Sequence, residues 1–222
     1  MLVAAVPVKD LVNAKQRLVP ALTAAERAAL AAAMLEDVLT ALAAARVDRV
    51  WVVTRDPAVG ALARAHFAEP LAEDANRGHS AAVARAQAEA ARLGARVFVT
   101  IPGDVPCVTP DEIQQLVQAA APAAPAFAPS RSGLGTNGVA LAPPEAMPLT
   151  FGEPSFDNHL AAARARGLEP RVLALPGLAL DVDAPDDLDA LLAAPGATLS
   201  ARLVATWRSN GRVQPAGVPR AS

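Results

Sequence analysis

The stretch ARVFVTIPGDVPCVTPDEIQQLV, residues 95–117, decides the fold class. Residues 95–101 are a nearly continuous apolar run, the composition of a strand covered on both faces. A Gly- and Pro-rich turn follows, with Asp104 in it. Thr109-Pro-Asp-Glu112 is then a capping box. Its hydroxyl accepts from the helix's first turn and its carboxylate returns to the Thr109 N–H. The helix it opens runs to about residue 120. A strand, a short loop and a capped helix form half of a parallel βαβ unit.

The same pattern precedes it. Residues 2–8, LVAAVPV, are a second apolar strand, followed by the polar loop KDLVNAKQRLVPAL. Thr23-Ala-Ala-Glu26 is another capping box and opens a helix to about residue 45. RVWVVT (49–54) is a strand, and Asp56-Pro57 places an N-cap before a proline at the first helical position. Residues 69–79 are loop-like, with a brief strand at their start. An Ala-rich helix over 80–93 ends at Gly94. Strand and helix alternate, which predicts an α/β sandwich with a mostly parallel sheet and helices on both faces.

The second half is mixed. AFAPS and NGVALAP are short strands around the Gly-rich RSGLGT, and FGEPSFDNHL leads into a helix ended by Gly167. RVLALP and LALDVD are read as strands, and Asp183-Ala-Pro-Asp-Asp-Leu as the start of a helix to Ala194. The pattern fades after Pro195-Gly196. The expectation is one domain over 1–207 and a mobile tail over 208–222.

Composition narrows the function classes. The chain has 222 residues, 53% of them hydrophobic and 19% charged, with a net charge of −2. That suits one domain with a sizeable core, and argues against a basic nucleic-acid or polybasic membrane binder. The single Cys107 excludes an intramolecular disulfide, and His66, His79 and His159 lack zinc-ligand spacing. The N-terminus reads as a strand rather than a signal peptide, and no stretch spans a bilayer, so a cytoplasmic protein is expected.

Ligands of such sheets bind beyond the carboxyl ends of the strands. Three loops there carry suitable groups. The first holds Lys9, Asn13, Lys15 and Arg17, and its lysines are the only two among 20 basic residues. These cations suit a triphosphate, or they are a solvated loop; that loop itself has no GxGxxG. The second holds Asp104, a metal ligand or a turn residue. In the third, Asp181 and Asp183 are two apart and would share one face of a strand, a spacing suited to Mg²⁺. The competing role is capping, which accounts for Asp183 but not Asp181. The 132–137 and 151–156 segments offer hydroxyls and backbone N–H groups to an anion, or are a hairpin turn and an N-cap.

Six pieces in order resemble the phospholactate guanylyltransferase family over about residues 3–192. They are PVKDLVNAKQRL, AAAMLEDVLTAL, IPGDVP, GLGTNGVAL, FGEPSFDNHLAAA and LALDVDAPDDL. The resemblance implies a Rossmann-like nucleotidyltransferase fold and a GTP-dependent enzyme of coenzyme F420 biosynthesis. Its acceptor would be 2-phospho-L-lactate, phosphoenolpyruvate or 3-phospho-D-glycerate. Carried over by motif, Asp104, Asp181 and Asp183 would bind Mg²⁺, with Lys15 also catalytic. Lys9, Lys15, Arg17, Gly78 and Ser80 would bind the nucleotide; Thr136, Gly152 and Ser155 would hold the acceptor. The partners implied are GTP and the phosphorylated acid, with a homodimer and a hand-over of product to a downstream transferase as further expectations. The chain departs from the family at Gln16, where Ser is usual, and at Gly78-His79-Ser80, where Gly-Leu-Asn is usual. A sugar-phosphate or molybdopterin-type nucleotidyltransferase, and a non-catalytic nucleotide-binding protein on the same fold, are the alternatives.

Overall fold

The computed structural model describes residues 1–73 and 77–212. Its strands are β1 (Leu2–Pro7), β2 (Arg49–Thr54), β3 (Glu69–Ala72), β4 (Val97–Thr100), β5 (Ala126–Pro129), β6 (Thr136–Leu141) and β7 (Arg171–Val172). Its helices are α1 (Ala24–Ala44), α2 (Pro57–Ala65), α3 (His79–Arg92), α4 (Pro110–Ala119), α5 (Ser155–Arg164), α6 (Pro176–Ala179), α7 (Pro185–Ala193) and α8 (Leu199–Ser209). One seven-stranded sheet has the order β3-β2-β1-β4-β6-β5-β7. β1 pairs in parallel with β2 and β4, and β2 with β3. β6 is antiparallel to both β4 and β5, and β5 is parallel to β7. The mixed second half thus comes from one reversed strand.

Alternate strand residues serve two cores. Ala4, Val6, Val52 and Val99 pack under Leu35 and Val38 of α1, Val59 of α2 and Ile113 of α4. Val3, Ala5, Trp51 and Phe98 pack under Val83 of α3 and Leu160 of α5. Helices therefore cover both faces, as the apolar strand runs required. The capping boxes at Thr23 and Thr109 and the Asp56 N-cap form as read.

The chain runs outward from β1 through β2 to β3, then returns to lay β4 on the other flank of β1. The strand order reverses between β1 and β4, and their carboxyl ends open a crevice there.

Three elements differ from the sequence reading. LALDVD is not a strand: α6 takes residues 176–179 and residues 180–183 run without a ladder, Val182 N–H donating once to the Asp104 carbonyl at 3.0 Å. Pro176 starts that helical turn and so cuts RVLALP down to the two residues of β7. Helix α8 was hidden by its polar composition. It exists because Val204 and Trp207 bury in a third cluster with Leu30 and Met34 of α1. Asp37 of α1 accepts from the Leu199 and Ser200 N–H groups and caps it. Residues 208 and 209 of the expected tail thus belong to α8, whereas residues 213–222 lie outside the described residues.

Candidate active site

Loops after β1, after β4 and before α7 meet at the crevice. Val182 is fully buried in the third cluster, so its neighbours Asp181 and Asp183 are turned outward together. The shared face expected of a strand survives without one. Asp183 does not cap α7. The Asp187 carboxylate does so, accepting from the Asp183 N–H at 2.9 Å and the Ala184 N–H at 2.7 Å, while its other oxygen pairs with Arg131. The Asp183 side chain is thereby left to the crevice.

Lys15 is where the first loop enters. It adopts a left-handed backbone, φ +56°, which turns its stem inward. Its Nζ donates to Asp104 Oδ2 at 2.5 Å and to Asp183 Oδ1 at 2.6 Å. Burial works against its charge, yet the Asp104 and Asp183 charges and hydrogen bonds outweigh it and raise the pKa above the ordinary lysine value. Lys15 is therefore a fixed cation that joins two carboxylates.

Asp181 is held from β6. Asn137 Nδ2 donates to Asp181 Oδ1 at 3.0 Å and also to the Leu178 carbonyl at 3.0 Å. Burial raises the Asp181 pKa, the Asn137 bond offsets part of the rise, and the Asp104 and Asp183 charges add to it. The Asp181 carboxylate thus feels the charges of the other two. Among the described residues no three acidic, His or Cys groups close around one point as a complete metal cage. The donor set nonetheless fits a hard divalent cation. Asp104 Oδ1 is buried without a hydrogen-bond partner, and Mg²⁺ characteristically takes one or two carboxylates and completes its shell with water and phosphate oxygens.

The remaining expected nucleotide residues are less uniform. Lys9 is exposed and lines adjoining clefts with Arg55 and Glu73 on one side, and with Gly78 and His79 on the other. Gly78 precedes α3 with φ +91°, a conformation that disfavours a side chain. Arg17 is exposed on a short 3-10 turn and does not line those clefts. Ser80 turns elsewhere: its hydroxyl accepts from Phe151 N–H at 2.8 Å and bonds the Phe151 carbonyl at 3.3 Å. It ties the start of α3 to the 151–155 loop.

The residues expected to hold the acceptor form a second cluster. Thr136, first in β6, and Ser155, first in α5, are both buried, and Ser155 Oγ donates to Thr136 Oγ1 at 3.2 Å. Gly152 lies in the loop before α5 with φ +123°. Adjacent strand residues face opposite ways, so Thr136 turns to this cluster while Asn137 turns to Asp181. Cys107 is buried, and burial together with the Asp37 and Glu112 charges pushes its thiol up to about 11. It is no nucleophile at neutral pH.

Sequence reasoning missed Asn137 as the holder of Asp181, Arg55 in the cleft, and the bond between His159 and Thr136. Asn137 had a signal, lying next to the motif threonine. His159 carried none beyond its type.

The family model described as guanylyl transferase CofC like matches residues 2–204. A phosphoenolpyruvate guanylyltransferase of Conexibacter woesei is 42% identical over 191 residues, 85% of this chain and 86% of that one. A 2-phospho-L-lactate guanylyltransferase of Methanothermobacter thermautotrophicus is 38% identical over 189 residues, 85% of this chain and 83% of that one. A nucleotidyl transferase structure from the same organism superposes with a TM-score of 0.63 at 16% identity, over 92% of this chain and 99% of that one. The last agrees in fold alone.

Proposed function

The chain belongs to the CofC-like guanylyl transferase family, and from that premise we propose that it moves GMP from GTP onto the phosphate of a three-carbon phospho-acid. An oxygen of the acceptor phosphate attacks the α-phosphorus of GTP. A new P–O bond forms, the bond from the α-phosphorus to the bridging oxygen breaks, and pyrophosphate leaves with its electron pair. The attacking phosphate is already ionised at neutral pH, so no general base is needed.

The observation that carries this is the meeting of Asp104, Asp181 and Asp183 with the Lys15 ammonium at the sheet's switch point. A transfer between two polyanions needs charge neutralised and reactants aligned more than it needs a proton relay. Asp104, Asp181 and Asp183 are the residues that would hold Mg²⁺, which supplies charge neutralisation at the phosphates. Lys15 orients two of those carboxylates. Lys9 and Arg55 put cations along the cleft for the triphosphate, and Gly78 lets backbone approach the nucleotide. Thr136, Ser155 and the Gly152 loop hold the acid through neutral donors, which add no negative charge beside the phosphates.

Phosphoenolpyruvate and 2-phospho-L-lactate are the acceptors favoured by the names of the relatives, with 3-phospho-D-glycerate as the third; the product would enter coenzyme F420 biosynthesis. The test is pyrophosphate release by the metal-replete protein with each of four NTPs against each of the three acids and a sugar phosphate. Release that requires both GTP and one of these acids is expected. Release with GTP and a sugar phosphate, but with none of the acids, would favour the sugar-phosphate nucleotidyltransferase alternative.

A further inference from the structure

Behind the acceptor cluster lies a histidine that the reaction above does not use. His159 is 1% exposed. Its ring stacks on Phe127 and meets Phe151 edge-on. Its Nε2 accepts from the Thr150 N–H at 3.0 Å. A backbone N–H can only donate, so Nε2 carries no proton. The neutral ring must then carry its proton on Nδ1, which lies 3.0 Å from Thr136 Oγ1. The ring's burial lowers its pKa to about 4, with the nearby His79 adding to the effect, so it stays neutral at working pH.

The consequence falls on Thr136. A hydroxyl has one proton and two lone pairs. Thr136 Oγ1 receives Nδ1–H from His159 and O–H from Ser155. Both lone pairs are engaged, and among the described residues no acceptor takes its own proton. The hydroxyl is left with donation as its one available bond.

We propose that His159 is a positioning residue: by donating Nδ1–H to Thr136 it fixes the Thr136 hydroxyl as a donor aimed at the carboxylate of the acceptor acid. A donor already oriented needs no reorganisation when an anion arrives. This inference rests on the acceptor role of Thr136 given above.

Asn and Gln at position 159 separate the two ring nitrogens. The Asn amide sits at the level of Nδ1 and can donate to Thr136, whereas the Gln amide reaches the level of Nε2 and can accept from Thr150. Initial rates of pyrophosphate release are measured with GTP saturating and the acid varied, then the reverse. The acid is whichever of the three the wild type uses. His159→Gln is expected to raise KM for the acid about tenfold or more, with KM for GTP unchanged, and His159→Asn to restore most of the loss. Equal acid KM values in the two variants, or equal rises in both substrates' KM, would overturn the positioning role. Thr136→Val separates the two levels. If it leaves the acid KM unchanged, the acceptor reading itself fails; if it raises that KM while His159→Gln does not, only the positioning role fails. A long-range ¹H–¹⁵N correlation spectrum of the wild type needs no variant to fold. It is expected to show His159 protonated on Nδ1 and bare on Nε2, and the opposite tautomer would refute the inference.

Discussion

Lys15→Met removes the ammonium that joins Asp104 to Asp183 and keeps most of the apolar stem. Breaking a fully buried ion pair by deleting one partner costs about 3–5 kcal/mol, because the other charge is left unpaired. Here the lysine side chain is 7% exposed, but Asp104 is 28% and Asp183 40% exposed. Water reaches the carboxylates and relieves part of that cost, so about 2 kcal/mol is the expected loss. In a domain of this size each kcal/mol moves Tm by about 2–4 °C, which puts the fall at about 4–8 °C. The assay is scanning calorimetry of metal-free wild type and variant at pH 7, repeated across a Mg²⁺ titration. Two carboxylates without a counter-charge should bind the cation with less competition. Mg²⁺ should therefore raise Tm more in the variant than in the wild type, by the usual linkage of binding to stability. An unchanged metal-free Tm, or an equal Mg²⁺ response in both proteins, would refute the placement of Lys15 as the counter-ion of carboxylates that take the cation.

Other expectations follow from the same geometry. Asp181→Asn keeps an oxygen for Asn137, lowers turnover by orders of magnitude, and raises the metal-free Tm because burial and two like charges already disfavour the ionised carboxyl; near-normal Mg²⁺-dependent turnover would contradict it. His159 has a folded pKa depressed from 6.5 to about 4, so its contribution is full above pH 6.5 and is lost as pH falls toward 4. That loss is about 3 kcal/mol, and urea midpoints of His159→Gln should lack that part of the wild-type slope; identical slopes would count against it. Gly177→Ala would drive a Cβ into the Cys107 carbonyl and the Glu112 carboxylate, so it should cost about 2 kcal/mol or more, and a wild-type urea midpoint would show that α6 yields more easily than its packing implies.

The first half of the fold was legible because its signals are local. Thr23, Asp56 and Thr109 are hydroxyl or carboxylate caps in front of apolar stripes, and each forms the bond its position promised. The second half depends on tertiary contacts. LALDVD alternates like a strand, but Val182 gains its burial from the α7–α8 cluster rather than from a ladder partner. Thr198 is a sound N-cap signal before α8, yet the helix is stabilised by Asp37, 162 residues away from Leu199 in sequence. The site was legible in its residue types and less so in its connections. The two lysines stood out among 20 basic residues, and Asp181 and Asp183 by their spacing, but that Lys15 Nζ joins Asp104 and Asp183 is a fact of chain crossing. Ser80, expected at the nucleotide, has its hydroxyl on the Phe151 backbone because α3 and the 151–155 loop meet there. No local pattern announces the two ring bonds of His159.

The transfer itself is tested most directly by following label from the two ends of the triphosphate. The protein is incubated with Mg²⁺, phosphoenolpyruvate or 2-phospho-L-lactate, and GTP carrying ³²P at either the α or the γ position. The account predicts that α-label moves into a product stable to phosphatase that requires the acid, while γ-label leaves as pyrophosphate, and that Asp183→Asn abolishes both. Label from the γ position on the acid, or α-label released only as free GMP, would contradict guanylyl transfer.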